Sequence, residues 1–198
     1  EDALSAYTQA IALAPGNVGA LNNRGNLLMR LRRNREALRD YDAALAVAPD
    51  NSGTHCNRGN VLFELRQFDQ ASAAYERAAA LSPGLPEAHR GLGNTFFELG
   101  QYEQAFQAYD AAYRADPDRD YIEGCRLHTK MHVCDWDTLA AETASLLAHV
   151  RQGKKASEPF WLLPTPASPA EQLLCAERFS SDRHPPYPVP LWRGDKYT

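Results

Sequence analysis

The sequence predicts an all-α protein whose first part is a solenoid of paired helices, and three observations lead there. Pro15, Pro49, Pro83 and Pro117 recur at a spacing of 34 residues. The same frame brings back Ala3, Ala37, Ala71 and Ala105, then Tyr7, Tyr41, Tyr75 and Tyr109, then Ala10, Ala44, Ala78 and Ala112. A second set marks the other half of each unit: Gly25, Gly59 and Gly93, each followed by an asparagine, with Leu31, Leu65 and Leu99 further on. A fixed period of this length is the sign of a repeat array in which every unit packs mainly on its neighbours. Strand signals are nearly absent, and helix formers dominate the first 150 residues.

Each column has a physical job. Small residues let two antiparallel helices approach closely, so glycine and alanine mark crossings, while tyrosine fills the wedge between units. Proline closes each unit because it cannot continue a helix and biases the residue before it away from the helical region. Together the columns resemble the tetratricopeptide repeat over residues 1–119, and the resemblance implies a right-handed solenoid of one half repeat and three full units. The full units run from Val18 to Asn51, from Ser52 to Leu85 and from Pro86 to Arg119. Before them stands a second helix alone, from Asp2 to about Ala14, without its first-helix partner. That end would expose an apolar face and invite self-association. Because the chain opens at Glu1 in mid-repeat, the natural protein is expected to continue upstream.

Past Pro117 one more first helix is expected over Asp120–Met131, and no second repeat helix follows it. Asp135 is a good N-cap for a new helix carrying Trp136, Leu139, Ala140, Thr143, Leu147 and Val150 on one face, which Gly153 would stop. Phe160 to Leu163 reads as an apolar plug between proline-bearing loops. Ser168, Pro169 and Glu171 form a capping box with proline at the first helical position, opening a helix to about Phe179. Residues 120–179 are thus read as a terminal repeat helix and helical connector, and the Pro-rich stretch 180–198 as an extended linker.

A net charge of −4 and a pI near 5.9 argue against a nucleic-acid partner, which would want a clear basic excess. The run Arg30, Arg32, Arg33, Arg35 reads as a solvated helix end whose cations complement the C-terminal dipole. No stretch approaches the roughly 18 apolar residues of a membrane span. Four scattered cysteines make no disulfide framework, which fits a reducing compartment and a cytoplasmic location. Cys125, His128, His132 and Cys134 have a spacing that could hold zinc, yet a buried thiol and helix-face histidines explain them better, and no metal is expected. Nothing pairs a Ser or Cys with a base, so no catalytic residue is assigned.

The junction carries a second resemblance. A last repeat helix runs into Cys134-Asp135-Trp136, then come an amphipathic helix, a Pro-Phe-x-Leu-Leu segment at Pro159 to Leu163, and Ser-Pro-x-x-Gln-Leu at Ser168 to Leu173. This order is similar to the protein O-linked N-acetylglucosamine transferases and their bacterial relatives. The resemblance implies the protein-substrate-binding and connecting region of a glycosyltransferase that moves a sugar from a UDP-sugar, with UDP-GlcNAc the expected donor, to Ser or Thr. Its partner would be catalytic domains of the same polypeptide. No glycine-rich strand-turn-helix is present to bind the nucleotide, so no cofactor is expected in this chain itself.

A helical wheel that packs Leu21, Gly25 and Leu28 turns Asn23, Asn26 and Arg30 outward, and the next units place Asn57, Asn60 and Glu64, then Gly91, Asn94 and Glu98, in the same columns. A primary amide offers one acceptor and two donors, which can match the C=O and N–H of an extended peptide. Asn23, Asn57, Asn26, Asn60 and Asn94 are therefore the candidate peptide-binding residues, lining a concave groove. In the transferase family the column of Asn23 and Asn57 resembles the ladder that grips protein substrates, with its third rung Gly91 here. Local hydrogen bonding is the alternative role for both columns. A different class is a stand-alone adaptor or co-chaperone binding peptide tails; it would want groove cations, and Arg24, Arg58 and Arg90 are the candidates.

Overall fold

The structure, a computed structural model, describes residues 2–184, and the side chains of residues 3–184. The described residues form eleven helices and no strand. They fall into two compact units, one ending at Pro117 and the other beginning at Asp118.

The first unit opens with α1 (Asp2–Leu13). Three pairs follow: α2 (Val18–Arg30) with α3 (Asn34–Val47), α4 (Ser52–Glu64) with α5 (Phe68–Leu81), and α6 (Pro86–Glu98) with α7 (Tyr102–Ala115). The boundaries are written in side chains. Asn17 and Asn51 cap α2 and α4, accepting from the amides of Ala20 at 3.0 Å and Thr54 at 2.9 Å, and Pro86 supplies the first position of α6. Each first helix ends in a left-handed residue, Arg32 (φ 60°), Arg66 (φ 58°) or Gly100 (φ 72°). The next amide in each case reaches back five residues, as Arg33 does to the Leu28 carbonyl at 2.9 Å, which closes a Schellman turn and starts the second helix at once.

Tyr41, Tyr75 and Tyr109 are buried among the alanine columns, as are Ala37, Ala71, Ala105, Ala44, Ala78 and Ala112. The crossings are so close that a Cβ on Gly25 would lie 2.7 Å from Tyr41 Cε1, and one on Gly59 would lie 2.7 Å from Tyr75 Cε1. Because α4 packs on both α2 and α6 while no second helix packs comparably on another second helix, the first helices form the inner wall of this unit's curve.

The second unit contains α8 (Ile122–His132), α9 (Leu139–Arg151), the single turn α10 (Pro159–Leu162) and α11 (Pro169–Arg183), around a core of Leu127, Leu146, Leu147, Val150, Ala156, Leu162 and Cys175. Ser168 and Glu171 form the expected capping box, with the Ser168 amide donating to Glu171 Oε2 at 2.7 Å. Gly153 (φ 75°) ends α9 in a Schellman turn closed by the Lys154 amide on the His149 carbonyl.

Three expectations are corrected here. Asp135 does not cap α9, which starts at Leu139. The Asp135 amide is spent on the Schellman turn that ends α8, donating to the Lys130 carbonyl, and its carboxylate accepts from the Asp137 amide in a local turn. That turn lets the buried Lys130 ammonium reach the Asp137 carbonyl at 2.6 Å, Thr138 Oγ1 at 3.0 Å and Glu142 Oε1 at 2.9 Å. Trp136 is consequently exposed, and the buried face of α9 is Thr143, Leu146, Leu147 and Val150. Phe160 to Leu163 is not a plug, since one turn of helix turns only Leu162 into the core and leaves Phe160 and Leu163 exposed. Finally, α11 runs four residues beyond Phe179, so 180–183 are helical rather than linker. The rest of the linker expectation, past residue 184, lies outside the described residues.

Candidate functional site

The inner wall of the first unit carries the asparagines singled out above. Asn23 and Asn26 on α2 are exposed, and Asn57 and Asn60 on α4, like Asn94 on α6, are half-buried. The two columns differ in what they already hold. The side chains of Asn23 and Asn57 make no hydrogen bond among the described residues. In the other column the Tyr41 hydroxyl donates to Asn26 Oδ1 at 2.6 Å, Tyr75 to Asn60 Oδ1 at 2.8 Å and Tyr109 to Asn94 Oδ1 at 2.8 Å. Burial pushes the Tyr41 and Tyr75 hydroxyls well above the ordinary phenol range, so they stay protonated and act as donors.

The ladder column ends at Gly91 for a reason of packing. Tyr75 lies between Gly59 of its own unit and Gly91 of the next, and a Cβ on Gly91 would press into the same ring. No side chain fits there, so the wall offers two rungs in that column and three in the next.

The candidate cations separate as well. Arg24 is held bidentately by the buried Asp40, at 2.7 Å through Nε and 2.6 Å through Nη2, and that hydrogen bonding raises its pKa further. Arg58 Nε donates to Asp42 at 2.7 Å. Arg90 is half-buried near Tyr75 and makes no ion pair among the described residues. Two members of the arginine run are also paired: Arg32 with Glu64 of the next unit at 2.7 Å, and Arg33 with Glu36 at 2.7 Å.

In the second unit His128 and His132 stand Nε2 to Nε2 at 3.0 Å, with the Trp161 ring 4.3 Å from His128. Burial, aided by the neighbouring His132, lowers the His128 pKa to about 4. The described residues contain no group of three or more His, Cys, Asp or Glu side chains placed to hold a metal. Trp136, Leu139, Ala140, Ala144 and Leu147 line an open apolar groove of about 520 Å³. Among the described residues no helix is long and apolar enough to cross a membrane.

Sequence reasoning took the tyrosines for wedge filler and missed their bonds to the asparagines. The signal was available, because tyrosine follows asparagine by 15 residues in every unit.

Tetratricopeptide-repeat profiles match residues 18–51 and 56–120, which between them make up half of the chain. The chain belongs to the tetratricopeptide-repeat family. Its all-helical solenoid is that of the family. Among solved structures it is similar to YrrB, described as a tetratricopeptide-repeat protein with an unusual peptide-binding site, at TM-score 0.67 and 18% identity over 91% of this chain and 93% of that one. It is similar to MamA of Desulfovibrio magneticus RS-1 at TM-score 0.68 and 20% identity, covering 75% and 84% of the two chains. The first tetratricopeptide domain of Spaghetti (RPAP3), bound to the HSP90 peptide SRMEEVD, matches at TM-score 0.58 and 21% identity over 60% of this chain and 94% of that one. At these identities the likeness establishes the tetratricopeptide fold. No curated protein sequence matches the chain.

Proposed function

We propose that the repeats form a protein-binding scaffold whose inner wall holds an extended peptide through asparagine amides. The observation that carries this reading is the pair of amide columns, Asn23 and Asn57 beside Asn26, Asn60 and Asn94, on the helices that line the inside of the curve. An extended strand repeats its C=O and N–H groups at fixed intervals, and amides on successive helices can meet them without reading side chains. YrrB and the RPAP3 domain, as their descriptions have it, are tetratricopeptide proteins with peptide sites, which supports the reading. The test is a titration of a blocked peptide library against the chain and its Asn23→Ala, Asn57→Ala variant. Binding that falls about tenfold or more in the variant supports the groove, and unchanged binding refutes it.

The second unit favours a more specific setting. The order of Cys134-Asp135-Trp136, α9, α10 and the capped α11 is the specific observation behind reading this chain as the substrate-recruiting and connecting part of a protein O-glycosyltransferase, using a UDP-sugar, in the cytoplasm. Transfer of label from UDP-GlcNAc to Ser or Thr by the protein isolated from its source supports that reading. A native protein without transfer activity leaves the stand-alone adaptor, for which Arg90 is the cation a peptide tail would meet.

A further inference from the structure

A primary amide can face a groove with its oxygen or with its NH2, and the two choices select opposite ligand groups. For one column of the wall the choice is made from behind. Each of Tyr41, Tyr75 and Tyr109 donates its hydroxyl to the amide oxygen of Asn26, Asn60 or Asn94, in three units with the same orientation and lengths of 2.6–2.8 Å. The chemistry favours this polarity, because a phenol is a strong donor and an amide oxygen a strong acceptor, whereas an amide NH2 given to a phenol oxygen would pair the weaker partners. The tyrosines cannot swing away. Their rings are buried, and Tyr75 is clasped between Gly59 and Gly91.

We propose that Tyr41, Tyr75 and Tyr109 are positioning residues that fix the polarity of the groove. They hold Asn26, Asn60 and Asn94 with nitrogen outward, so this column donates and does not accept. It selects ligand segments that present acceptors, the backbone carbonyls or carboxylates of a peptide. The side chains of Asn23 and Asn57 make no hydrogen bond among the described residues, so nothing behind the wall fixes which end of the amide they offer. The groove therefore has a donor-only edge beside an adaptable one. This inference rests on the peptide-binding reading for its consequence, though not for the orientation itself.

The first test needs no ligand. In the free protein, NOEs from the Nδ2 protons of Asn26, Asn60 and Asn94 to the tyrosine Hε protons are expected to be weak or missing, with the amide protons turned away. Strong NOEs at these three sites would overturn the proposal. Conversion of all three tyrosines to Phe keeps the packing but frees the amides, so the exchange of the two Nδ2 protons should quicken several-fold while the fold persists. Unchanged exchange would also overturn it.

The second test uses a blocked decapeptide of Ala, Ser and Thr and the isosteric variants Asn26→Asp, Asn60→Asp and Asn94→Asp, combined. A carboxylate still accepts from tyrosine, so the variant keeps the bond behind the wall and turns each outward donor into a negatively charged acceptor. The Kd should rise tenfold or more. An unchanged or lower Kd would show that the column does not act as a donor edge. If the unaltered protein binds no peptide at all, the peptide-binding reading falls, and the NOE measurement still decides the amide orientation.

Discussion

Two glycines of α4 should respond to alanine with opposite signs. A Cβ on Gly59 would lie 2.7 Å from Tyr75 Cε1, 2.8 Å from Cδ1 and 2.9 Å from Cζ. Carbon atoms at ordinary contact stand about 3.5–4.0 Å apart, so helix and ring would have to part by about 1 Å. The ring has nowhere to go, because Gly91 of the next unit lies against the same ring. Overpacking of this kind costs about 1–3 kcal/mol, against which alanine returns about 1 kcal/mol of helix propensity. For Gly59→Ala the net is a loss of about 0–2 kcal/mol. Gly53 stands less than two turns earlier, where its Cβ would meet only Asn51 Oδ1 at 3.5 Å, an ordinary contact. Gly53→Ala should therefore stabilise by about 0.4–1 kcal/mol, chiefly by restricting the unfolded chain. Urea unfolding followed by far-UV circular dichroism, with a thermal scan in parallel, reads both. At about 2–4 °C per kcal/mol the two variants should differ by several degrees. If Gly59→Ala proves as stable as Gly53→Ala, the tight crossing is not what fixes glycine in this column.

Arg32 and Arg66 hold the left-handed position that Gly100 fills in the third unit, at a backbone cost of about 1 kcal/mol. Each arginine recovers part of this in an exposed ion pair, with Glu64 and Glu98 respectively, worth about 0–1 kcal/mol. Arg32→Gly or Arg66→Gly should thus be neutral to stabilising by about 1 kcal/mol, and Gly100→Arg destabilising, in urea midpoints. The second unit should lose stability toward acid in two steps. His128 is held down to about 4 in the fold against 6.5 when unfolded, so the unfolded chain takes up the proton first and stability falls as pH drops below about 6.5. Glu142 is held down to about 2 by bonds from Thr138, Arg126 and Lys130, despite the desolvation that opposes them, so its contribution is whole above 4.5 and is lost between there and about 2. Water still reaches about a quarter of the Glu142 side chain, which brings its share to about 1–2 kcal/mol; a pH series of thermal midpoints with Glu142→Gln as control reads it. Lys130→Met should cost about 3 kcal/mol or more, by leaving the turn before α9 without the ammonium that three oxygens share.

How far the sequence could be read depended on whether a residue's partner was set by the repeat or by tertiary geometry. In the array a residue's neighbours stand at fixed offsets, so the columns of Ala37, Tyr41 and Gly25 mark both helices and crossings in the sequence itself. The second unit has no such frame. Asp135 carries every local mark of an N-cap, and loses the role because its amide completes the end of α8 while the turn after it wraps Lys130. Local capping propensity there yields to a buried ammonium that needs three acceptors, and an ammonium's partners cannot be read from spacing.

The site divides in the same way. That asparagines line the inner wall followed from the helical wheel, since exposure on a packed helix is a matter of phase. Which way each amide faces did not follow, because it depends on the tyrosine one helix behind. Yet the missing information was itself periodic: an asparagine and a tyrosine 15 residues apart, three times over, on two helices that the glycine between them forces together. The glycine column thus does more than permit packing. By drawing the tyrosine close behind the wall it puts the hydroxyl within reach of the amide, so the residues that close the crossing are also those that decide what the groove can donate.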